Sequence, residues 1–526
     1  MKAKKVLLTT LLVAAVGFSA ACSNNGGNNG GNGNEGATAT NKPAAETEKP
    51  ADIVQLKAIT MGTEPASGMD NFYKQLDELT IKDLGMTIRF DFIPWGDEKN
   101  QISRAIVAKE YDVYVGGGFS DFSAFAAKNA FADLTPLLEK TPALVEHYKG
   151  SLERVKLDGK VFGIPQYNKP GAGGQGVLYR EDLRKEWGLP EIKNLATLEQ
   201  YLYKAKEQFS GVPMINDKRF ADNLWTMLAG DKYFTVTDPY TVASQSEPYK
   251  AISKFDTPEF KLVIEKAKQW YEDGIVDHDI LAGQGNETSK TLELMKANQK
   301  PLEFNNHFGA VSSGYIGALK TAFPEQEFGW LDFTYDMFPN TVFLPRMSAA
   351  TTTMISIGSH SKHAELALKF IEKAHTDQTY YNLLMFGVEG ENYKLTDTGL
   401  NYEGIDDKNK KPGWTGLIDG YMQPEIAYPG EWQAFADKLT KTEGPALAEK
   451  NGPDPYEGFV FNSSELQAEN ASLETVKTQY IQPLSVGVTN NIDKDLAEVQ
   501  KQLKGAGLEK YMTTLQAQLD AFSATK

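Results

Sequence analysis

Hydrophobic residues alternate where the globular part of the chain begins. Val54, Leu56, Ala58 and Thr60 take every second position, which predicts a strand. After the loop Met61 to Met69, Phe72, Leu76, Leu79 and Leu84 recur at helical spacing, and Gly85 ends that run. Met86, Ile88, Phe90 and Phe92 alternate again, until Pro94-Trp95-Gly96 break the pattern. Asp97 is placed to cap a helix carrying Ile102, Ala105 and Ile106. Tyr111 to Val115 reads as a third strand, stopped by Gly116-Gly117-Gly118. Strand, helix, strand, helix, strand within about 65 residues predicts right-handed crossovers and a parallel sheet.

Helical periods dominate further on. Thr257-Pro258 start a helix with Phe260, Ile264, Ala267 and Tyr271 on its core face and Gly274 past its end. Ser361 is expected to cap another, bearing Leu366, Phe370, Ile371 and Ala374. Leu496, Val499 and Leu503 mark a further helix. Gly505 and Gly507 separate it from a last one with Leu508, Tyr511, Met512, Leu515, Leu519 and Phe522. No internal repeat is visible.

The first 51 residues follow none of these periods. Lys2, Lys4 and Lys5 precede an apolar stretch from Val6 to Phe18, then Ser19-Ala20-Ala21-Cys22. Charged, apolar and small segments in that order predict an export signal, with a core too short for a permanent membrane span. The small residues before the single cysteine resemble the lipobox of bacterial lipoproteins, although Ser19 stands where Leu is usual. The resemblance implies cleavage after residue 21 and diacylation of Cys22; an ordinary secretory signal is the alternative. Residues 23–51, rich in Asn, Gly and later Pro, cannot bury a core and are expected to be a disordered tether. Its root-mean-square span would be roughly 30 Å.

The remaining 475 of 526 residues exceed one core, so two or more domains are expected. The formal charge is −16, and −19 once Lys2, Lys4 and Lys5 leave with the signal. Such a body is a poor partner for nucleic acid or anionic lipid headgroups. One cysteine excludes an internal disulfide. No second apolar run is long enough to span a bilayer.

Several segments in order resemble the oligosaccharide-binding group of extracellular solute-binding lipoproteins of bacterial ABC importers. Trp95-Gly96-Asp97 and Tyr111-Asp112-Val113 are similar to the family's first lobe. Gly159-Lys160-Val161-Phe162-Gly163-Ile164-Pro165 resembles its first crossover, and Leu178 to Leu183 with Trp187 to Pro190 the start of the second lobe. Ala349 to Ile357 with Lys362 to Ala374 resembles the return segment; Phe386 to Tyr393 and Gly505 to Phe522 resemble the longer, LplA-like members. The resemblance implies an α/β fold of two periplasmic-binding-protein-like lobes with a hinge, here with extra C-terminal helices. The expected division is residues 52–168 with 350–395 as the first lobe, and 169–349 with 396–526 as the second, helix-rich lobe.

In an open parallel sheet, ligands bind beyond the carboxyl ends of the strands. The loops there carry Glu64, Trp95, Phe119 and Asp121. Aromatic faces stack on sugar rings and carboxylates accept hydroxyl hydrogen bonds, while Gly116 to Gly118 would let ligand approach the backbone. Asn305-Asn306, beside His307 and Phe308, are candidate second-lobe contacts or a simple turn. Trp330, Trp414 and Glu389 are further candidates; for the tryptophans a core position is the alternative.

Other motifs carry less. Gly171-Ala172-Gly173-Gly174-Gln175-Gly176 matches a dinucleotide fingerprint, but Pro170 precedes it and a strand-like segment follows. A hinge or a cleft loop fits better. Ser359-His360-Ser361-Lys362 matches S-x-x-K without the companion motifs. Asp277-His278-Asp279 reads as a metal-type cluster or a solvated turn. No cofactor, metal site or catalytic residue is expected.

The leading expectation is therefore a lipid-anchored, monomeric binding protein on the outer face of the cytoplasmic membrane, Gram-positive by the resemblance. It would take an oligosaccharide or other polar solute and pass it to ABC permease subunits. A surface glycoside hydrolase using Asp121 and Glu389 is one alternative. A ligand-sensing partner of a membrane kinase is another.

Overall fold

The computed structural model describes residues 53–62, 64, 68–94, 98–166, 175–282, 288–308, 311, 315–333, 336, 353–397, 399–402, 404–405, 422, 428, 432–451, 455–456 and 459–526. The signal, Cys22, the tether, Trp95, Gly171 to Gly174 and Trp414 lie outside the described residues.

The alternating segments form a five-stranded sheet in the order Met86–Ile93, Val54–Met61, Val113–Gly116, Met354–Ile357, Ile164–Pro165. The first three are parallel, with Val54 opposite Met86 and Ala58 opposite Val113. Helices Met69–Leu84 and Glu98–Ala108 make the crossovers. Gly85 ends the first helix in the left-handed region, φ 68°, where a side chain would be strained. Met354–Ile357 arrives from far along the chain and runs antiparallel to both of its neighbours. Leu56, Ile88 and Val113 from the sheet pack with Phe72, Leu76, Phe370 and Ile371 from the helices as one core.

A second core gathers later sequence. Gln175–Arg180 lies between Phe328–Asp332 and Leu302–His307, antiparallel to both. Tyr233–Thr237, Thr241–Ser244 and Ile252–Ser253 form a separate meander. Helices Leu195–Gln208, Phe220–Ala229, Pro258–Glu272, Ile492–Gly505 and Leu508–Ser523 enclose Leu198, Leu224, Trp270, Leu331, Leu503 and Leu515. The Thr257 side chain accepts a hydrogen bond from Phe260 N at 3.3 Å, with Pro258 in the first turn, so this start signal works as the sequence implies. A smaller cluster beside this core stacks Phe308 on Trp432 at 5.9 Å.

Several expectations change. Ser361 does not hold the cap position: His363 does, before the helix Ala364–Thr376, and Ser361 Oγ accepts from His363 N at 3.2 Å while donating to Asp112 Oδ1. The expected boundary at 395/396 falls inside a hairpin, Lys394–Thr396 paired with Gly399–Asn401. Leu400 is buried in the first core, and Tyr402 and Met422 pack on it, so this core takes chain beyond residue 395. Tyr428, six positions after Met422, packs with the Phe308 cluster instead. Gly176 is committed to packing: a Cβ there would lie 2.5 Å from the Trp330 ring and 2.3 Å from Leu331 O.

Candidate functional site

The carboxyl ends of the three parallel strands are Met61, Ile93 and Gly116. Pro165 joins them at this edge, because Met354 pairs with both Gly116 and Pro165. Gln166 N then donates to Thr353 O at 3.0 Å, so outgoing and returning chain leave the first sheet side by side. On the other core, Phe333 N donates to Gln175 O at 3.0 Å, and the two strands meet there side by side as well. Both passages thus connect one edge of each sheet, which puts those edges on the same side of their lobes as the crossovers.

The predicted residues distribute around these edges. Glu64 is exposed in the loop after Met61. Phe119 is in the short turn Gly118–Ser120; its side chain lies outside the described residues. Asp121 follows in the left-handed region, φ 57°, uncommon for a residue with a side chain. Its carboxylate meets Lys99 Nζ of the second crossover helix at 3.3 Å. Gly116 gives up its Cβ to a protein neighbour: Ser120 Oγ would lie 2.5 Å from one. That oxygen accepts from Gly117 N at 3.0 Å and closes the turn.

Glu389 is exposed in the turn before Tyr393, whose phenol burial and the Glu389 charge push up to about 12. Asn71 Nδ2 donates to Glu391 Oε1 at 2.7 Å, clasping this turn to the start of the Met69–Leu84 helix, close in sequence to the Glu64 loop. Asn305 and Asn306 belong to the Leu302–His307 strand, with Asn306 opposite Gly176; their side chains lie outside the described residues. Trp330 is 4% exposed, 5.8 Å from Phe308. It takes the interior position that was the alternative for it.

Asp222 lies in the first turn of Phe220–Ala229. Its side chain is 74% accessible, yet surrounding protein raises its carboxyl pKa, with Asp238 adding and Lys254, Lys477 and Arg219 opposing. Lys254 Nζ, 3.9 Å away, also sits 4.8 Å over the Trp225 ring. No spacing in the sequence marks Asp222; its setting is made by residues far from it in the chain.

Asp277-His278-Asp279 forms a turn. The His278 ring bonds Tyr271 O at 2.8 Å and Asp277 accepts from Asp279 N. Among the described residues no cluster of three metal-type side chains occurs, and no helix is long and apolar enough to cross a membrane. The S-x-x-K serine, Ser359, donates its backbone N–H to Ala130 O at 3.0 Å, in the turn before the Ala364–Thr376 helix.

Residues 66–380 match the family described as bacterial extracellular solute-binding protein, which is more than half of the chain. The chain belongs to that family. A second family, described as a domain of unknown function, matches residues 455–524. A carbohydrate ABC transporter substrate-binding protein of Streptococcus pneumoniae is 23% identical over 93% of this chain and 94% of its own length. Among solved structures, this solute-binding protein is similar to the N-glycan transport solute-binding protein NgtS of S. pneumoniae in complex with Man1GlcNAc. The TM-score is 0.67 at 20% identity, over 89% of this chain and 99% of that one. The S. pneumoniae ABC-transporter substrate-binding protein FusA in complex with kestose gives 0.63 at 16% identity, over 90% and 100%. The fold is thus the two-lobe α/β fold of solute-binding proteins, as the resemblance implies.

Proposed function

We propose that this solute-binding protein captures an oligosaccharide between its lobes and delivers it to an ABC permease without covalent chemistry. The observation carrying this reading is the near full-length relationship to a carbohydrate ABC transporter substrate-binding protein. Support comes from the strand ends beside Glu64 and Asp121. Neutral saccharides fit carboxylates that accept from hydroxyl groups. Ligand touching both lobes favours the closed form by its differential affinity for that state. In this reading the first lobe runs from 52 to 166 and from 353 to about Met422, and the second takes the rest. The protein is a monomer held outside the cell by diacylated Cys22 on the 23–51 tether.

Calorimetry against a panel that includes Man1GlcNAc and kestose, followed by chromatography of the recovered sugar, tests the reading. Saturable binding with sugar recovered intact is expected. Shortened products would make the protein a glycoside hydrolase, and failure of every saccharide to bind would remove carbohydrate as the solute class.

A further inference from the structure

Lys254 follows the strand Ile252–Ser253 in the second lobe and is 9% exposed. Its backbone is fixed from both sides. The N–H donates to Tyr240 O at 2.9 Å, and the carbonyl accepts from Thr257 Oγ1 at 2.7 Å. Its Nζ lies 4.8 Å over the Trp225 ring and 3.9 Å from Asp222 Oδ1. Among the described residues this ammonium donates no hydrogen bond, and the Asp222 carboxylate, with a side chain 74% accessible, accepts none.

Other side chains hold the pair in place. Tyr233 stacks with Trp225 at 5.8 Å, the ring planes 30° apart. Glu259 fixes Tyr233 by accepting from its hydroxyl at 2.9 Å, and also accepts from Lys232 Nζ at 2.8 Å. Asp222 and Trp225 are three residues apart on the helix Phe220–Ala229, so they are neighbours on its surface. That helix begins near the passages between the lobes. Phe220 meets Phe304 ring to ring at 6.4 Å, and Phe304 meets Phe333 at 5.9 Å, where Phe333 N donates to Gln175 O.

A buried ammonium that donates to nothing forgoes the hydrogen bonds it made in water. The carboxylate at 3.9 Å is too far to accept one, yet it leaves an open acceptor beside the donor. A hydroxyl group answers both, because its oxygen accepts while its hydrogen donates. An anionic group would be repelled by Asp222 and a cationic one by Lys254, so a neutral hydroxyl fits best. We propose that Lys254 and Asp222 form a saccharide subsite on the second lobe, where a sugar hydroxyl accepts from the ammonium and donates to the carboxylate. The inference rests on the reading of oligosaccharide capture above.

Calorimetry on the full chain tests it, with Man1GlcNAc, kestose and any other panel sugar that binds. Lys254→Met keeps an apolar stem against the Trp225 ring and removes the ammonium. It should weaken binding about tenfold or more, the size of one hydrogen bond to a charged group. Asp222→Asn should weaken binding by a similar factor. Since one hydroxyl serves both side chains, the double variant should lose less than the product of the two single losses. Where Lys254→Met melts well below the parent chain, Asp222→Asn decides alone, because its side chain is largely accessible. Parent-like affinity in the deciding variants, or strictly multiplicative losses, would overturn the subsite while leaving oligosaccharide capture intact. A parent chain that binds no sugar would instead overturn oligosaccharide capture, and the subsite with it.

Discussion

The Ser361 hydroxyl donates to Asp112 Oδ1 at 2.5 Å, joining residues 249 positions apart. Asp112 Oδ2 accepts from Lys57 N at 3.0 Å, while Asp112 N and O bond Lys57 O and Gly358 N. One carboxylate therefore ties the central parallel strand to the returning antiparallel strand at the edge away from the crossovers. Asp112→Ala should cost about 2–3 kcal/mol, since two donors lose an ionised acceptor. Ser361→Ala should cost about 1 kcal/mol. Urea unfolding of both variants checks this, and equal, negligible shifts would mean the tie carries no stability.

That contact also shows what the sequence could and could not tell. Ser361 was expected to cap because it precedes an amphipathic run, a local signal. It does accept locally, from His363 N, but its bond to Asp112 is fixed by the strand order, which local pattern does not encode. The three parallel strands and the Thr257-Pro258 start were legible because each depends on neighbouring residues alone. The edge residues Glu64 and Asp121 followed from the parallel order. Trp330 had both a core and a stacking reading in the sequence, with core the commoner one, and Phe308 and Gly176 across the sheet place it in the interior.

Gly176 has no room for a methyl group between Leu331 O and the Trp330 ring. Gly176→Ala should cost about 1–3 kcal/mol through overpacking. It should also shift tryptophan fluorescence, because Trp330 must yield. Gly85→Ala, with nothing near its Cβ, should lose stability only through its positive φ and leave the emission unmoved. Matching spectra for the two variants would place the Gly176 effect elsewhere.

Cys22→Ala should release the protein from the membrane fraction, given the charged and apolar segments before it and the tether after it. Fractionation in high salt is the measurement. A variant that still sediments with membranes would show that something other than a lipid on Cys22 holds it.

Lys300 and Glu303, each 3% exposed, share the interior of the second core. Lys300 Nζ donates to Asn216 Oδ1 at 2.8 Å, and Glu303 Oε2 has no hydrogen-bond partner among the described residues. Burial pushes the lysine down and the glutamate up, each charge opposing the shift of the other. A carboxyl whose folded pKa is raised binds its proton more tightly in the folded state. Stability should therefore fall as pH rises from the unfolded carboxylate value through the folded one. The lowered lysine acts in the other direction: stability should recover as pH rises from its folded pKa toward its unfolded one. Glu303→Gln should flatten the first slope and widen the pH range of the second, because the lysine then loses the charge that opposes its shift. Lys300→Met should cost about 3–5 kcal/mol, because it strands the glutamate, and adding Glu303→Leu should return much of that loss. Denaturant midpoints across pH give both slopes. A double variant less stable than Lys300→Met alone would mean that the pair is held by more than its own charges.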